Sequence, residues 1–292
     1  VNFVPYIENP KTKGSGIVCC IPQKGHCPNK CPECFFQNGR SYLEPLADNL
    51  PNMPDPAQVN ALGQVVRVND GNDSNVQKEV VLPQTECYRD KFYNTAIPDL
   101  DFPGVVARAY AGGQCTETKR QMPVVLTINP GRLCDERFFT LEDCLGEGMV
   151  NGTDPALVKY LVPPVNLMFV RLLVSPFNTE LVARAIRHWT DWEIPVVLTF
   201  MAYHKEPRLQ TVRCGTPCDE AAQGWTERRR TLNTYWAVEA ETWASIMYAY
   251  RKNKLVYSCG EGMNGSVKCR QCGNCLREYF ATKLRIADAS CR

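Results

Sequence analysis

The residues with the clearest capacity for chemistry lie in GHCPNKCPECFF, residues 25–36, where Cys27, Cys31 and Cys34 form a C-x3-C-x2-C array. Soft thiolates suit iron–sulfur clusters and zinc, and three of them this close can hold three corners of one iron–sulfur cubane. The array supplies no fourth local cysteine, which leaves one metal position open. Structural zinc sites instead pair two C-x2-C units or add histidines at a suitable offset. Here His26 stands directly beside Cys27, a poor position for a co-ligand.

A second group follows near the far end of the chain. Cys259 precedes a C-x2-C-x2-C run at Cys269, Cys272 and Cys275. The tight triplet is closer to a ferredoxin-type run than to the separated pairs of a zinc ribbon, yet four thiolates also satisfy zinc. Both occupants, a 4Fe–4S cluster or zinc, are open at this point. RCGTPC, with Cys214 and Cys218, is compatible with a redox pair, extra ligands or two stray thiols, and Cys291 is a spare ligand.

C-x3-C-x2-C placed just after an N-terminal apolar run resembles the radical S-adenosylmethionine (SAM) superfamily. The resemblance implies that Cys27, Cys31 and Cys34 hold a 4Fe–4S cluster whose open iron takes the amino and carboxylate groups of SAM. It also implies reductive cleavage of SAM to a 5′-deoxyadenosyl radical, with a reductant such as flavodoxin or ferredoxin. Cysteines after the last barrel strand are similar to auxiliary-cluster ligands of that superfamily. The substrate (peptide, nucleoside, RNA or small molecule) is not implied. Two departures stand out: Glu33 occupies the position before the third cysteine that is often aromatic, and no Gly-Gly-Glu motif follows the second strand. Phe35 and Phe36 come next instead and are expected to help form the adenine pocket.

Bulk properties are ordinary for a soluble globular protein. The chain has 292 residues, a net charge of +2, 44% hydrophobic and 22% charged residues. That length can bury a large core in one α/β domain or two smaller ones. No apolar run approaches the ~18 residues of a membrane span, and the first residues lack the pattern of a signal peptide. Of the sixteen cysteines, those in clustered spacings point to metal ligation in a reducing cytoplasm rather than to disulfides.

Elements must carry these residues. Parallel-strand candidates are 16–22, 64–70, 123–130, 166–176, 195–203 and 254–260, apolar and β-branched with Gly, Pro or Asx boundaries. Helices are expected at 56–62, 75–92, 154–161, 179–192 and 231–252, the last being the longest. Pro83 makes the middle of the second doubtful. Strands alternating with helices predict an α/β fold; six such units match the partial (β/α)6 TIM-like barrel that the resemblance implies. The expected division is a barrel over residues 1–260, with its core at about 15–260, and a cysteine-rich metal-binding extension over 261–292.

Parallel barrels react at the C-terminal ends of their strands. There Asn69, Asp70, Gly71 and Asn72 offer oxygens for the SAM ammonium, or simply form an Asx-rich turn. Arg171, within an apolar strand, needs an anionic partner, for which the SAM carboxylate is a candidate. Ser175 shares its strand face, and Asn178 either reaches the ribose or caps its helix. Asp73 or Ser74 is the expected cap of the helix after the second strand.

Overall fold

The computed structural model describes residues 5–29, 36, 41–97, 110–111, 114–115, 122–128, 165–204, 222–230, 233–260 and 269–290. In chain order the elements are β1 (Ile17–Cys20), α1 (Leu46–Asn49), α2 (Pro56–Ala61), β2 (Val65–Val68), α3 (Lys78–Thr85) and β3 (Lys91–Thr95). There follow β4 (Tyr110–Ala111), β5 (Gln114–Cys115), β6 (Val124–Ile128), β7 (Leu167–Leu173), α4 (Thr179–Asp191), β8 (Val196–Thr199) and β9 (Met201–His204). The chain continues with β10 (Trp225–Arg230), β11 (Asn233–Val238), α5 (Ala240–Ala249), β12 (Val256–Ser258), α6 (Cys269–Cys272) and α7 (Asn274–Ser290).

Seven strands form one sheet in the order β1-β2-β3-β6-β7-β8-β12, every neighbouring pair parallel. Space order therefore follows chain order, as when each strand is followed by a crossover and then its neighbour. Period-two alternation gives the sheet two distinct faces. Val66, Val68, Tyr93, Leu126, Val170, Leu172, Val196 and Leu198 belong to the face covered by α2, α3 and α4. Helix α4 buries Val182, Ala185, Ile186 and Trp189 there, its apolar residues recurring at helical spacing.

The opposite face is filled by α7. Ile17, Val65, Phe92, Val125, Phe169, Val197 and Tyr257, one residue from each of the seven strands, share a single buried cluster with Tyr279. Six interstrand gaps of ~4.8 Å would hold the edges of a flat sheet about 29 Å apart. Yet residues from β1 and from the end of β12 line one cavity, so the sheet curls around α7. No strand pairing joins β1 to β12.

Helix α7 runs antiparallel to the strands. At its start Asn274 Nδ2 donates to the Ser258 carbonyl at the end of β12, 3.4 Å away. Further along, Arg285 donates to the carbonyl of Leu167, the first residue of β7, at 2.8 Å. The segment expected as a separate extension thus contributes to the same core as the sheet.

Several expected elements differ. The helix drawn over 75–92 is only Lys78–Thr85, and KFYNT after it is a seventh strand in the main sheet. Phe92 and Tyr93 project to opposite faces and both are fully buried, which favours extended chain. The longest helix among the described residues is α7, not 231–252. The first part of that stretch, with β-branched and aromatic Thr234, Tyr235, Trp236 and Val238, is β11, paired antiparallel with β10 and β9. The strand drawn over 195–203 divides at Phe200: β8 stays in the main sheet and β9 joins the second one. The helix expected at 154–161 lies outside the described residues.

Candidate metal centres at the C-terminal edge of the sheet

Cysteines from two parts of the chain, Cys27 in the first, meet the same edge of the sheet, the one where the strands end. The first begins with Cys27. Its loop leaves β1 and turns back against the end of β2, where the backbone N–H groups of Asn29 and Asp73 point at the Cys27 sulfur. Burial raises the Cys27 pKa, and these two donors oppose the rise. Asn72 Nδ2 donates to the Gly25 carbonyl at 3.2 Å, and Gln23 Nε2 donates to the Asp73 carbonyl at 2.9 Å. Two side-chain bridges therefore fasten the cysteine loop to the turn. Cys31, Cys34 and Phe35 lie outside the described residues, as do Cys214, Cys218 and Cys291.

The turn itself is dense with polar groups. Asn69 adopts a left-handed φ of 59°, a conformation that asparagine accepts more readily than most residues. Its Nδ2 donates to Ser74 Oγ at 3.1 Å, while its Oδ1 is buried without a partner, as is Oδ1 of Asn72. The Asp70 carboxylate accepts from Asn9 Nδ2 at 2.7 Å and from Tyr42 OH at 3.3 Å. The Phe36 ring lies so close over Gly71 that a Cβ there would collide with it.

Asp73 and Ser74 do not cap α3. The position preceding α3 is Gln77, which makes no side-chain cap. Asp73 instead joins the ends of β2 and β3, accepting from Asn75 N, Ala96 N and Thr95 Oγ1. Burial raises its pKa against the effect of those donors.

The second group encloses a cavity on the α7 face. Cys259, Cys269, Cys272 and Cys275 all line it, together with Arg67 of β2 and Arg171 of β7. Cys259 continues the sheet, its N–H donating to the Leu198 carbonyl at 2.8 Å. Cys269 N donates to the Lys11 carbonyl at 3.2 Å, which ties α6 to the N-terminal segment. Gly273, at a left-handed φ of 68°, breaks α6 from α7 and starts α7 immediately before Cys275. Cys259 is exposed, and the other three are half-buried.

Both arginines are half-buried because they face the cavity, but Nε of each is closed to solvent and has no hydrogen-bond partner. Neither makes an ion pair among the described residues. Burial disfavours the charge on Arg67, and the nearby Cys19, Asp70, Cys275 and Cys269 outweigh it and raise its pKa. For Arg171, burial and then the charge of Arg67 lower it. The Cys275 thiol is raised to about 11 by burial, with Arg171 and Arg67 pulling against the rise. Among the described residues, no three Cys, His, Asp or Glu side chains converge closely enough to enclose a single ion.

Arg171, expected at the SAM carboxylate, therefore opens into the four-cysteine cavity. Ser175 and Asn178 form a closed turn after β7: Asn178 Oδ1 accepts from Ser175 N at 2.8 Å and Nδ2 donates to the Leu173 carbonyl at 3.0 Å. Asn178 holds the position before α4 but does not cap it with its side chain. Sequence reasoning missed Arg67. The signal was the one that singled out Arg171, an arginine inside an apolar strand, here in VVRV.

No family model matches the chain, and neither a curated protein nor a solved structure is significantly similar to it.

Proposed function

We propose that the chain is a radical-SAM enzyme built on a partial barrel, with Cys27, Cys31 and Cys34 holding the SAM-binding 4Fe–4S cluster. The observation that carries this reading is the turn beside Cys27, where Asn69 and Asn72 leave two buried amide oxygens without donors. An unpaired buried acceptor is costly, and an ammonium group supplies the donors such oxygens lack. The amino group of SAM is such a group, and it would bind next to the cysteine that begins the cluster loop. The donor set fits the cluster: thiolate ligands, N–H groups aimed at the Cys27 sulfur, and a curled parallel sheet whose strands end at the site.

Cys27, Cys31 and Cys34 would hold the cluster, which would supply the electron for reductive cleavage of SAM. The chain's own residues position the parts. Asn72 and Gln23 fix the cysteine loop on the sheet edge. Asp70 is oriented by Asn9 and Tyr42 and brings negative charge to the ammonium side. Phe36, seated on Gly71, supplies an apolar wall above the turn.

A non-catalytic iron–sulfur or zinc protein for electron transfer or scaffolding is the rival reading. Anaerobically reconstituted protein, given dithionite and SAM, is expected to release 5′-deoxyadenosine and methionine. The Cys27→Ala/Cys31→Ala/Cys34→Ala variant is expected to release neither. Absence of cleavage by iron-replete wild type, or equal cleavage by the variant, overturns the proposal.

A further inference from the structure

We propose that Cys259, Cys269, Cys272 and Cys275 ligate a 4Fe–4S cluster inside the curled sheet, with Arg67 and Arg171 as its built-in countercharges. Two features of the cavity call for negative charge there, and a third supplies the groups that carry it once a metal is bound. First, two guanidinium groups from separate strands, β2 and β7, enter one cavity and leave Nε unpartnered. Asp70 lies near Arg67, but Arg171 makes no ion pair among the described residues and faces Arg67 as a second positive charge, so the pair favours negative charge in the cavity between them. Second, the 17-residue α7 starts at the cavity, and the N-terminal end of a helix carries partial positive charge and free N–H groups. Third, four thiols line the same space, and thiols become anions only when they ligate a metal or lose their protons to a base.

The charges balance. As each sulfur–iron bond forms, one thiol releases its proton to solvent. A doubly positive 4Fe–4S core with four thiolates then carries a net charge of about −2, which two guanidinium groups neutralise. Zinc with four thiolates has the same net charge, so spacing must separate the two. One zinc at ~2.3 Å from each sulfur draws the four to within about 3.8 Å of one another. A cubane instead takes its thiolates at four separate corners, and the tight C-x2-C-x2-C run is of the ferredoxin type rather than the separated pairs of a zinc ribbon. With all four irons ligated by cysteine, this centre has no open position for SAM. Its role is to lock α6 and α7 against the strands.

The inference does not rest on the radical-SAM reading. In the Cys27→Ala/Cys31→Ala/Cys34→Ala variant, prepared anaerobically with ferrous iron and sulfide, about four irons per chain and a reducible low-temperature EPR signal are expected. One zinc per chain with no such signal, or no bound metal, overturns the inference. If wild type and variant both hold about four irons, this centre stands and the radical-SAM reading falls. If iron disappears entirely from the variant, this centre falls instead.

A second pair of variants keeps the cysteine loop intact. Cys269→Ser/Cys272→Ser is expected to lose about four irons relative to wild type, and unchanged iron overturns the inference. The countercharge role is read from potential. Arg67→Gln and Arg171→Gln, each in the triple-Ala background, are expected to shift the midpoint to more negative values. Removing a positive charge makes adding an electron harder. Arg67→Lys is expected to restore most of that shift, and an unmoved midpoint in both Gln variants refutes the role.

Discussion

Tyr279 of α7 donates a 2.9 Å hydrogen bond to Asp90, at the foot of β3 and 189 residues away in the chain. Lys283 reaches the same carboxylate oxygen at 3.4 Å, and Arg89 binds the other at 2.8 Å. Asp90 thus fastens the helix that fills the sheet to one of the strands around it.

Removing that hydroxyl tests how firmly α7 is held. Tyr279→Phe keeps the ring in the core and is expected to cost roughly 1.5 kcal/mol, the value of a hydrogen bond to a charged group. Denaturant unfolding of the variant measures it, and a loss below a few tenths of that figure contradicts the assignment.

The same carboxylate predicts a pH dependence. Burial acts to raise the Asp90 pKa, but Arg89, Tyr279 and Lys283 outweigh it and hold the pKa below the ordinary value. A carboxylate depressed in the folded state stabilises above its unfolded pKa of about 3.9, and the contribution is lost as pH falls through the folded value. Wild-type stability is therefore expected to decline below about pH 4 more steeply than that of Asp90→Asn. Parallel declines refute the linkage.

Gly71 and Phe36 make a steric prediction. A methyl group at residue 71 would overlap the Phe36 ring, so Gly71→Ala must displace that ring or the turn. The expected cost is about 1–3 kcal/mol, the range for overpacking. Adding Phe36→Ala should recover part of it in thermal unfolding. If Gly71→Ala alone is neutral, the close packing of ring on backbone is wrong.

Asn69 separates conformation from binding. Its left-handed φ admits glycine freely and alanine only with strain, so Asn69→Ala should be about 1 kcal/mol less stable than Asn69→Gly. Both variants lose the same unpartnered oxygen, so both should bind SAM equally weakly by calorimetry. Wild-type affinity in the glycine variant would remove Asn69 from the SAM site.

What the sequence made legible was whatever local pattern controls. The apolar runs around Ile17, Val65, Leu167 and Val196 are strands because their residues are buried on both faces, and α4 shows its helical period plainly. KFYNT was hidden because its ends are polar and Pro83 gave the preceding helix no clear end. The pairing of Asn233–Val238 with β10 and β9 depends on partners far enough away that periodicity cannot report them. The same holds for the cavity. Cysteine spacing singles out the thiols, but only the curl of the sheet brings Arg67, Arg171 and Cys259 around one space.

The placement of α7 also governs the order in which the chain can mature. Every strand of the main sheet leaves the ribosome before the helix that covers its inner face. Until α7 docks, Ile17, Val65, Phe92, Val125, Phe169 and Val197 form an exposed greasy concavity, the kind of surface on which nascent chains stick to one another or recruit a chaperone. Three of the four cysteines that line the inner cavity ride on α6 and α7, so these thiols come together only as this gap closes. The cysteine loop at Cys27 emerges directly behind β1 and has no such delay. The Cys27 loop and the inner cavity are therefore completed at different times, separated by the length of the chain between them.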